Sequence, residues 1–316
     1  QAIEWFMPNM SRNEITPDLV RNLLRTKSQT RSMSTLSKSQ KLLLLEYVVS
    51  DKRTQDLQGV PLLPLANGSF TNFARLQNIN LAVYVASVEM PRSLLPNMEE
   101  RFLYDGESYA AHSLLCSVAQ VTNGTTQLVA LKKELVPRLL KDLSLPKSWF
   151  GQSDYVEWHP GTHGSPPHSW LVDLWYLLRR EFPDDISSFE EIPLILTNGK
   201  KVPVLLKLRR KSRVIRQTAP GCALPGNVME LLRNAGVFIL SDVPHYMEHN
   251  CLPNYVALPN SVGVFQVLNT IGAERCLPVI SSCSLQQRKA LRDFMTGSIH
   301  YLTTEQIALL RLLPIF

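Results

Sequence analysis

Hydrophobic residues recur at helical spacing in several stretches of the chain, and many of these stretches begin with a capping residue or a proline. Thr16 precedes Pro17 and an apolar run, which is the pattern of a helix start. Trp170 and Trp175 belong to a broad apolar face that predicts a helix packed against a core. Pro137 should bend the helix that contains it. We predict helices over residues 16–26, 37–50, 127–143, 167–182, 227–234, 285–296 and 303–311.

Two segments have the pattern of β-hairpins. VPLLPLANGSF lies in residues 60–73 and IPLILTNGKKV in residues 192–206, and each places Asn-Gly between two apolar runs. Asn-Gly is typical of a type I′ turn, which needs positive φ at both central residues. Prolines within these runs cannot donate to a strand ladder, so the strands should be irregular or lie at a sheet edge. Further strands are predicted at residues 83–87 and 237–241.

The order helix, helix, hairpin occurs twice, which indicates an internal duplication. We predict a first repeat unit over residues 1–125 and a second over 126–283, with a basic insertion at 207–236. Residues 284–316 should open a truncated third unit, because the final LLPIF resembles a hairpin start. The predicted fold class is α+β (mixed α/β): duplicated helix-helix-hairpin units with mixed, partly irregular sheets packed on helices.

Composition limits the class of protein. The chain has 316 residues, of which 45% are hydrophobic, so it should fold into a globular structure of about two domains. No apolar run approaches the roughly 18 residues that a membrane-spanning helix needs. The five cysteines are odd in number and irregularly spaced, which favours free thiols in a reducing compartment. We therefore expect a cytoplasmic protein without a membrane span.

One segment holds the excess of positive charge. The formal net charge is +6, and without this segment the basic and acidic residues are equal in number, at 27 each. We predict that it is a partner-binding patch for an acidic or phosphorylated protein or a neighbouring domain. A solvated loop that protects a strand edge is the alternative. Nucleic acid is disfavoured because aromatic residues do not interleave with the cations. The residues are Lys207, Arg209, Arg210, Lys211, Arg213 and Arg216.

Histidines and cysteines provide the candidates for chemistry. His245 and His249 are four residues apart and Cys251 follows, so the three could ligate zinc or serve a thiol-dependent hydrolase. Metalloproteases need Glu directly after the first His, and here that residue is Tyr246. A second group, His159, His163 and His168, lies in a Pro- and Gly-rich loop. Hydrogen-bonded loop and core residues are the simpler interpretation of both groups, so we predict no metal, no cofactor and no catalytic residue.

The sequence also lacks the motifs of nucleotide-binding and hydrolase sites. It contains no Gly-x-x-x-x-Gly-Lys loop, no Gly-x-Gly-x-x-Gly and no Gly-x-Ser-x-Gly elbow. We therefore expect a protein that is not an enzyme.

Several strings together resemble the internal repeats of the sacsin family. They are GVPLLPLANGSF, LSLPKSW, VEWHPGTHGSPPHSWLVDLWYLL and the terminal LRLLPIF, and the similarity spans nearly the whole chain. The resemblance implies a very large cytoplasmic co-chaperone, with a link to ataxia, that works with the seventy-kilodalton heat-shock system. Its implied partners are neighbouring domains of the same long chain, chaperone machinery and protein clients, the proteasome and intermediate filaments.

The family also contains ATPase-like modules related to the ninety-kilodalton chaperone. Their site needs an acidic residue and Asn on one helix, an Asp-x-Gly-x-Gly turn and a Gly-rich lid. None of these is present in this sequence. The resemblance therefore implies a repeat region outside the ATPase-like module, with a scaffold or client-contacting role.

Overall fold

Helices account for much of the ordered backbone. A computed structural model describes residues 15–25, 33–51, 53–74, 81–106, 111–121, 126–162, 164–198, 202–210, 213–297, 303–304 and 307. The α-helices in this part of the chain are α1 (Pro17–Leu24), α2 (Lys38–Val49), α3 (Ala111–Val121), α4 (Val136–Leu139), α5 (His168–Glu181), α6 (Gly226–Asn234), α7 (Ser261–Ile271), α8 (Ala273–Ser282) and α9 (Leu285–Thr296).

Capping side chains set several helix starts, as the sequence predicts. The Thr16 hydroxyl accepts a hydrogen bond from the Leu19 amide at 3.3 Å, and α1 begins at the next residue, Pro17. Ser37 at the start of α2 and Ser284 at the start of α9 each form a reciprocal capping box with a glutamine three residues later. Such pairs satisfy amides that have no partner inside the helix. Local side-chain chemistry therefore determines where these helices begin.

The strands are short. They are β1 (Leu63–Pro64), β2 (Phe70–Thr71), β3 (Val83–Val85), β4 (Leu128–Ala130), β5 (Tyr155–Glu157), β6 (Pro193–Asn198), β7 (Pro203–Lys207), β8 (Val214–Arg216), β9 (Thr218–Ala219), β10 (Cys222–Ala223) and β11 (Phe238–Leu240). The antiparallel sheets are β1-β2, β9-β10 and the three-stranded β5-β7-β6. The pairs β3-β4 and β8-β11 are parallel. Helices with small sheets confirm the α+β class, although parallel and antiparallel pairings occur in separate sheets among the described residues.

The first hairpin is confirmed, but its turn differs from the prediction. Strand β1 pairs antiparallel with β2, and the Leu65 amide donates to the Ser69 carbonyl at 2.9 Å. Gly68 has φ +85°, whereas Asn67 is outside the positive-φ region. The loop therefore has three residues and ends in a glycine bulge. The Asn67 side chain instead accepts a hydrogen bond from the Ser69 amide at 3.0 Å, which stabilises the loop without positive φ at the asparagine.

The chain forms two compact units, and the first comprises residues 1–139. Helices α1 and α2 pack together, and the Tyr47 hydroxyl donates to the Ile15 carbonyl at 2.6 Å. In the run of four leucines, Leu44 and Leu45 are buried while Leu43 is exposed, as expected for a helix with one apolar face. The core of this unit combines α1, α2, the β1-β2 hairpin, α3 and the β3-β4 pair.

The second unit comprises residues 140–316. Trp175 on α5 donates its indole N–H to the carbonyl of Leu194 on β6 at 3.0 Å, which joins the helix to the β5-β7-β6 sheet. Trp170 and Trp175 are both buried, which confirms the predicted apolar face of α5. A separate core cluster is formed by the β8-β11 pair together with α6, α7, α8 and α9.

The helix predicted over residues 127–143 is wrong in its first part. Residues Leu128–Ala130 form β4, which pairs with β3, a partner more than forty positions earlier in the chain. Pro137 stands in the first turn of the short α4, which directly follows a 3-10 turn at Lys133–Leu135. A turn of π-helix follows at Leu140–Ser144. The long-range strand pairing outweighed the helical pattern.

The internal duplication and the three predicted repeat units remain predictions. The helix over 303–311, the LLPIF hairpin start and the turn glycine Gly199 lie wholly or mostly outside the described residues. The strands predicted at 83–87 and 237–241 contain β3 and β11; β3 pairs with the later strand β4, whereas β11 pairs with the earlier strand β8. Within the described residues, no helix combines the length and apolar character needed to cross a membrane.

Candidate functional site

Acidic side chains surround most of the predicted basic patch. Strand β7 ends at Lys207, and Arg209 and Arg210 follow it, while Arg213 directly precedes β8. Lys211 lies outside the described residues. We call the following residues the charged cluster: Asp154, Glu190, Glu191, Lys207, Arg209, Arg210 and Arg213.

Arg209 is the central cation of the charged cluster. Its Nε and Nη2 donate to the two oxygens of Glu191 at 2.7 and 2.6 Å, and its Nη1 donates to Asp154. A bidentate guanidinium–carboxylate pair is stronger than a single charged hydrogen bond. The hydrogen bond from Arg209 lowers the pKa of the Glu191 carboxyl below its ordinary value. Each of the three guanidinium nitrogens of Arg209 therefore donates a hydrogen bond to a carboxylate of the protein itself.

Lys207 is almost completely buried, with 1% of its side chain exposed. Its ammonium donates to the Gly151 carbonyl at 2.5 Å and lies 3.9 Å from Glu191 Oε2. Burial, and secondarily the neighbouring Arg209, lowers the pKa of Lys207. A buried ammonium is costly unless its three donors find acceptors. Among the described residues, one of the three N–H donors of Lys207 has a hydrogen bond, the one to the Gly151 carbonyl.

The outer cations are arranged differently from one another. Arg210 is 68% exposed and donates to Glu190 at 3.0 Å. Arg213 is half-buried, and its Nε lies 4.0 Å from Asp154 Oδ2. Arg216 is the last residue of β8, and burial lowers the pKa of its guanidinium. The described part of the predicted patch is thus a partly neutralised cluster in which Arg210 is mostly exposed and Arg213 is half-buried.

Glu191 adopts a strained backbone conformation, with φ at +71°. Residues other than glycine avoid this left-handed region because the Cβ atom crowds the following carbonyl. The Glu191 amide donates to the Leu208 carbonyl at 3.0 Å, and its carboxylate holds Arg209. Contacts on both sides of the residue therefore maintain the strain.

The three residues of the hydrolase alternative do not share a site. His245 is 80% exposed and pairs with Glu248 at 3.0 Å, whereas His249 is buried. The His249 Nδ1 accepts from the Cys251 amide at 3.0 Å, and its Nε2 lies 3.3 Å from the Leu178 carbonyl. An amide can only donate and a carbonyl can only accept, so Nδ1 serves as the acceptor in this pair of contacts and Nε2 as the donor. Both of its nitrogens are occupied within the protein.

Cys251, the thiol of the hydrolase alternative, is in an environment that disfavours a nucleophile. Burial raises the pKa of the Cys251 thiol, which lies 3.7 Å from the Pro183 carbonyl. Catalytic cysteines need the opposite shift, because the thiolate is the reactive form. The five cysteines are free thiols. Among the described residues, no group of three or more His, Cys, Asp and Glu side chains could hold a metal ion.

The second histidine group forms an aromatic contact. His168 stacks on Trp158 with ring centres 5.8 Å apart, and its Nε2 lies 3.4 Å from the Tyr246 hydroxyl. His159 is exposed and caps the loop through its carbonyl, which accepts from the Thr162 amide at 3.1 Å. His163 lies outside the described residues. His168, the first residue of α5, therefore packs against Trp158 at the start of this loop.

Comparison with known proteins identifies a related region. The chain is 31% identical over 292 residues to human sacsin, and the match covers 90% of this chain. This chain is similar to a part of sacsin. The match covers 6% of the length of that relative, so the sacsin-like chain corresponds to a small portion of it. The resemblance predicted from the sequence is thereby confirmed. No family model matches the chain, and no solved structure matches it.

Sequence reasoning missed the acidic half of the charged cluster in this sacsin-like region. Glu190 and Glu191 precede β6, and β6 pairs antiparallel with β7, so they lie opposite the residues that follow Lys207. The hairpin predicted at 192–206 already carried this signal, because antiparallel register places its two outer ends together. Asp154 had no such signal, since it joins through the pairing of β5 with β7.

Proposed function

We propose that this chain is a non-catalytic protein-contact region of a sacsin-type co-chaperone scaffold in the cytoplasm, where it serves protein quality control with the seventy-kilodalton heat-shock system. The observation that carries the proposal is the 31% identity to human sacsin over nine-tenths of the chain. The proposed partners are neighbouring domains of the same long chain, chaperone machinery, protein clients, the proteasome and intermediate filaments. Nucleic acid is not among the proposed partners.

The charged cluster supports contact with an acidic partner. Arg210 is mostly exposed, and Arg213 makes a single long ionic contact in the described residues. Cations at the surface steer oppositely charged partners and accelerate their association. Contact through these two arginines requires no turnover by the chain itself.

The geometry of the histidines supports a role without catalysis. A hydrolase built on His245, His249 and Cys251 would need a free imidazole nitrogen and a thiolate or metal. Both nitrogens of His249 have partners, and the pKa of the Cys251 thiol is raised.

The proposal is tested by a refolding assay with a denatured model client, the seventy-kilodalton chaperone, a J-domain protein and ATP. Adding the chain should increase the refolded yield by about twofold or more, while the chain alone hydrolyses no ATP above background. The double variant Arg210→Gln, Arg213→Gln should lose most of the effect. The matched control is Arg233→Gln, Arg275→Gln, which removes two exposed arginines outside the charged cluster and should retain the effect.

Two results would overturn this function. One is a refolded yield that does not change when the chain is added at molar excess over the client. The other is ATP hydrolysis, or micromolar binding of magnesium-ATP in calorimetry, by the chain alone.

A further inference from the structure

A cavity of about 180 Å³ lies beside the charged cluster in the second unit. Residues of three strands (β7, β8 and β11) and of helix α7 meet there with Arg209 of the loop after β7 and with the residues that directly precede β5 and β8. The residues that line the cavity include Asp154, Lys207, Arg209, Arg213, Val214 and Phe238. Three cations therefore share one concave space with one carboxylate.

The charges around this cavity do not balance. Lys207, Arg209 and Arg213 each carry one positive charge. Asp154 lies in the lining, and Glu191, which is not a lining residue, pairs with Arg209. The two carboxylates neutralise two of the three cations, which leaves one positive charge at the described part of the site. A single negative charge from a ligand would complete the balance.

Lys207 and Arg213 have a larger share of unused hydrogen-bond donors than Arg209. Arg209 already uses its three guanidinium nitrogens on Glu191 and Asp154. The buried ammonium of Lys207 makes one hydrogen bond, to Gly151, and Arg213 makes one ionic contact, at 4.0 Å, among the described residues. A buried ammonium with unused donors next to a cavity is a strong site for an anion.

The other lining residues select the type of anion. Val214 and Phe238 give the cavity an apolar wall, which suits the methylene groups of an amino-acid side chain. The Asp154 carboxylate would repel a doubly charged group more strongly than a singly charged one. We propose that this cavity binds the carboxylate of an acidic side chain, glutamate or aspartate, from a protein partner, with Lys207 and Arg213 donating to its oxygens.

This proposal rests on the proposed contact function and deepens it, because it names the chemical group that is recognised. It also assigns different roles in binding to the members of the charged cluster. Arg213 contacts the ligand, whereas Arg210 is outside the lining and pairs with Glu190. Asp154 competes with the ligand for Arg213.

The test is fluorescence anisotropy of the 316-residue chain with a labelled peptide of five glutamates flanked by leucines. The glutamate peptide should bind, and the matching glutamine peptide should bind at least tenfold more weakly. Arg213→Gln should weaken binding about tenfold. Arg210→Gln carries the same charge change and should stay within about twofold. Asp154→Asn should tighten binding about threefold, because it frees Arg213.

A Lys207→Met variant tests the buried donor, and its fold is checked by urea unfolding. It should also weaken binding about tenfold. If Lys207→Met unfolds, the tighter peptide binding expected for Asp154→Asn still tests the proposal. Equal losses for Arg210→Gln and Arg213→Gln, or weaker binding by Asp154→Asn, would overturn the cavity as the recognition site.

Small anions distinguish a carboxylate site from a phosphate site. Acetate should displace the peptide at a lower concentration than inorganic phosphate, and the reverse order would overturn the assignment to a carboxylate. Absence of peptide binding in a chain that still increases refolding would overturn the cavity proposal alone. Peptide binding in a chain without effect on refolding would overturn the proposed co-chaperone function alone.

Discussion

Arg209 donates two hydrogen bonds to Glu191, at 2.7 and 2.6 Å, while the Glu191 backbone is held at a φ of +71°. Glu191 therefore both forms the ion pair with Arg209 and has the strained backbone. The carboxylate stabilises the charged cluster, and the left-handed backbone reduces that gain.

Substitutions at Glu191 should separate these two effects. Glu191→Gln keeps the strain and removes the charge, so it should lower the free energy of unfolding by about 0.5–1 kcal/mol. Glu191→Gly removes both the charge and the strain. Its free energy of unfolding should therefore be higher than that of Glu191→Gln by about 0.5 kcal/mol. Urea denaturation measures both. Glu190 is the control because its φ is −54°, a conformation without this strain. At that position the glycine variant should have a lower free energy of unfolding than the glutamine variant. The same ranking at both positions would contradict a strained Glu191.

Arg21 is predicted to be the most sensitive charged residue of the first unit. Its guanidinium is fully buried and donates to the Val48 carbonyl at 2.7 Å and to both oxygens of Asp51 at 2.8 and 2.7 Å. Arg21→Met should cost about 2–3 kcal/mol, because the carbonyl and the carboxylate lose their shared donor. The exposed Arg25→Met is the control and should change the free energy of unfolding by less than about 0.5 kcal/mol.

The same pair predicts how stability depends on pH. The hydrogen bond from Arg21 lowers the pKa of Asp51 in the folded chain. A lowered carboxyl pKa adds stability above the unfolded value, roughly 4, and that stability is lost as the pH falls through the folded value. Asp51→Asn should therefore be less stable than the parent chain at pH 7, and the difference should shrink below about pH 4. Urea midpoints at pH 7, 5 and 3 measure this, and a constant difference would contradict it.

Gly263 should be intolerant of a side chain. A Cβ atom there would lie 1.9 Å from the carbonyl oxygen of Leu258, so the backbone must move. Gly263→Ala should lower the free energy of unfolding by about 2–3 kcal/mol. Gly226, the first residue of α6, has open space around it, and Gly226→Ala should be neutral or stabilising by up to about 1 kcal/mol. Similar results for the two variants in thermal unfolding would contradict the close approach.

Cys251 should resist alkylation in the folded chain. Burial raises its pKa, so little thiolate forms at neutral pH. Iodoacetamide at pH 7.5 should label it at least tenfold more slowly than the half-buried Cys222, and the two should react equally fast in denaturant. Peptide mapping by mass spectrometry measures both rates. Fast native labelling of Cys251, or its protection by added zinc, would instead support the hydrolase alternative.

Local chemistry explains which elements could be predicted. Thr16 and Ser37 start their helices through hydrogen bonds within three residues, and the β1-β2 hairpin follows from a glycine that tolerates positive φ. Such interactions are encoded in short segments, so the α+β class, most helix positions and the resemblance to sacsin were predictable. The segment at 128–130 was not, because pairing with β3 outweighed its local pattern.

The sequence by itself determined the helix starts, the hairpins and the position of the basic residues. Only the tertiary structure decided what those basic residues do. It brought Asp154 and Glu191 to Arg209, buried Lys207 beside a cavity and occupied both nitrogens of His249. Charge and hydrogen bonding act through space, and these partners are 18, 55 and 71 residues apart in the chain. The fold therefore places three carboxylates beside four of these cations, and the charged cluster keeps one positive charge.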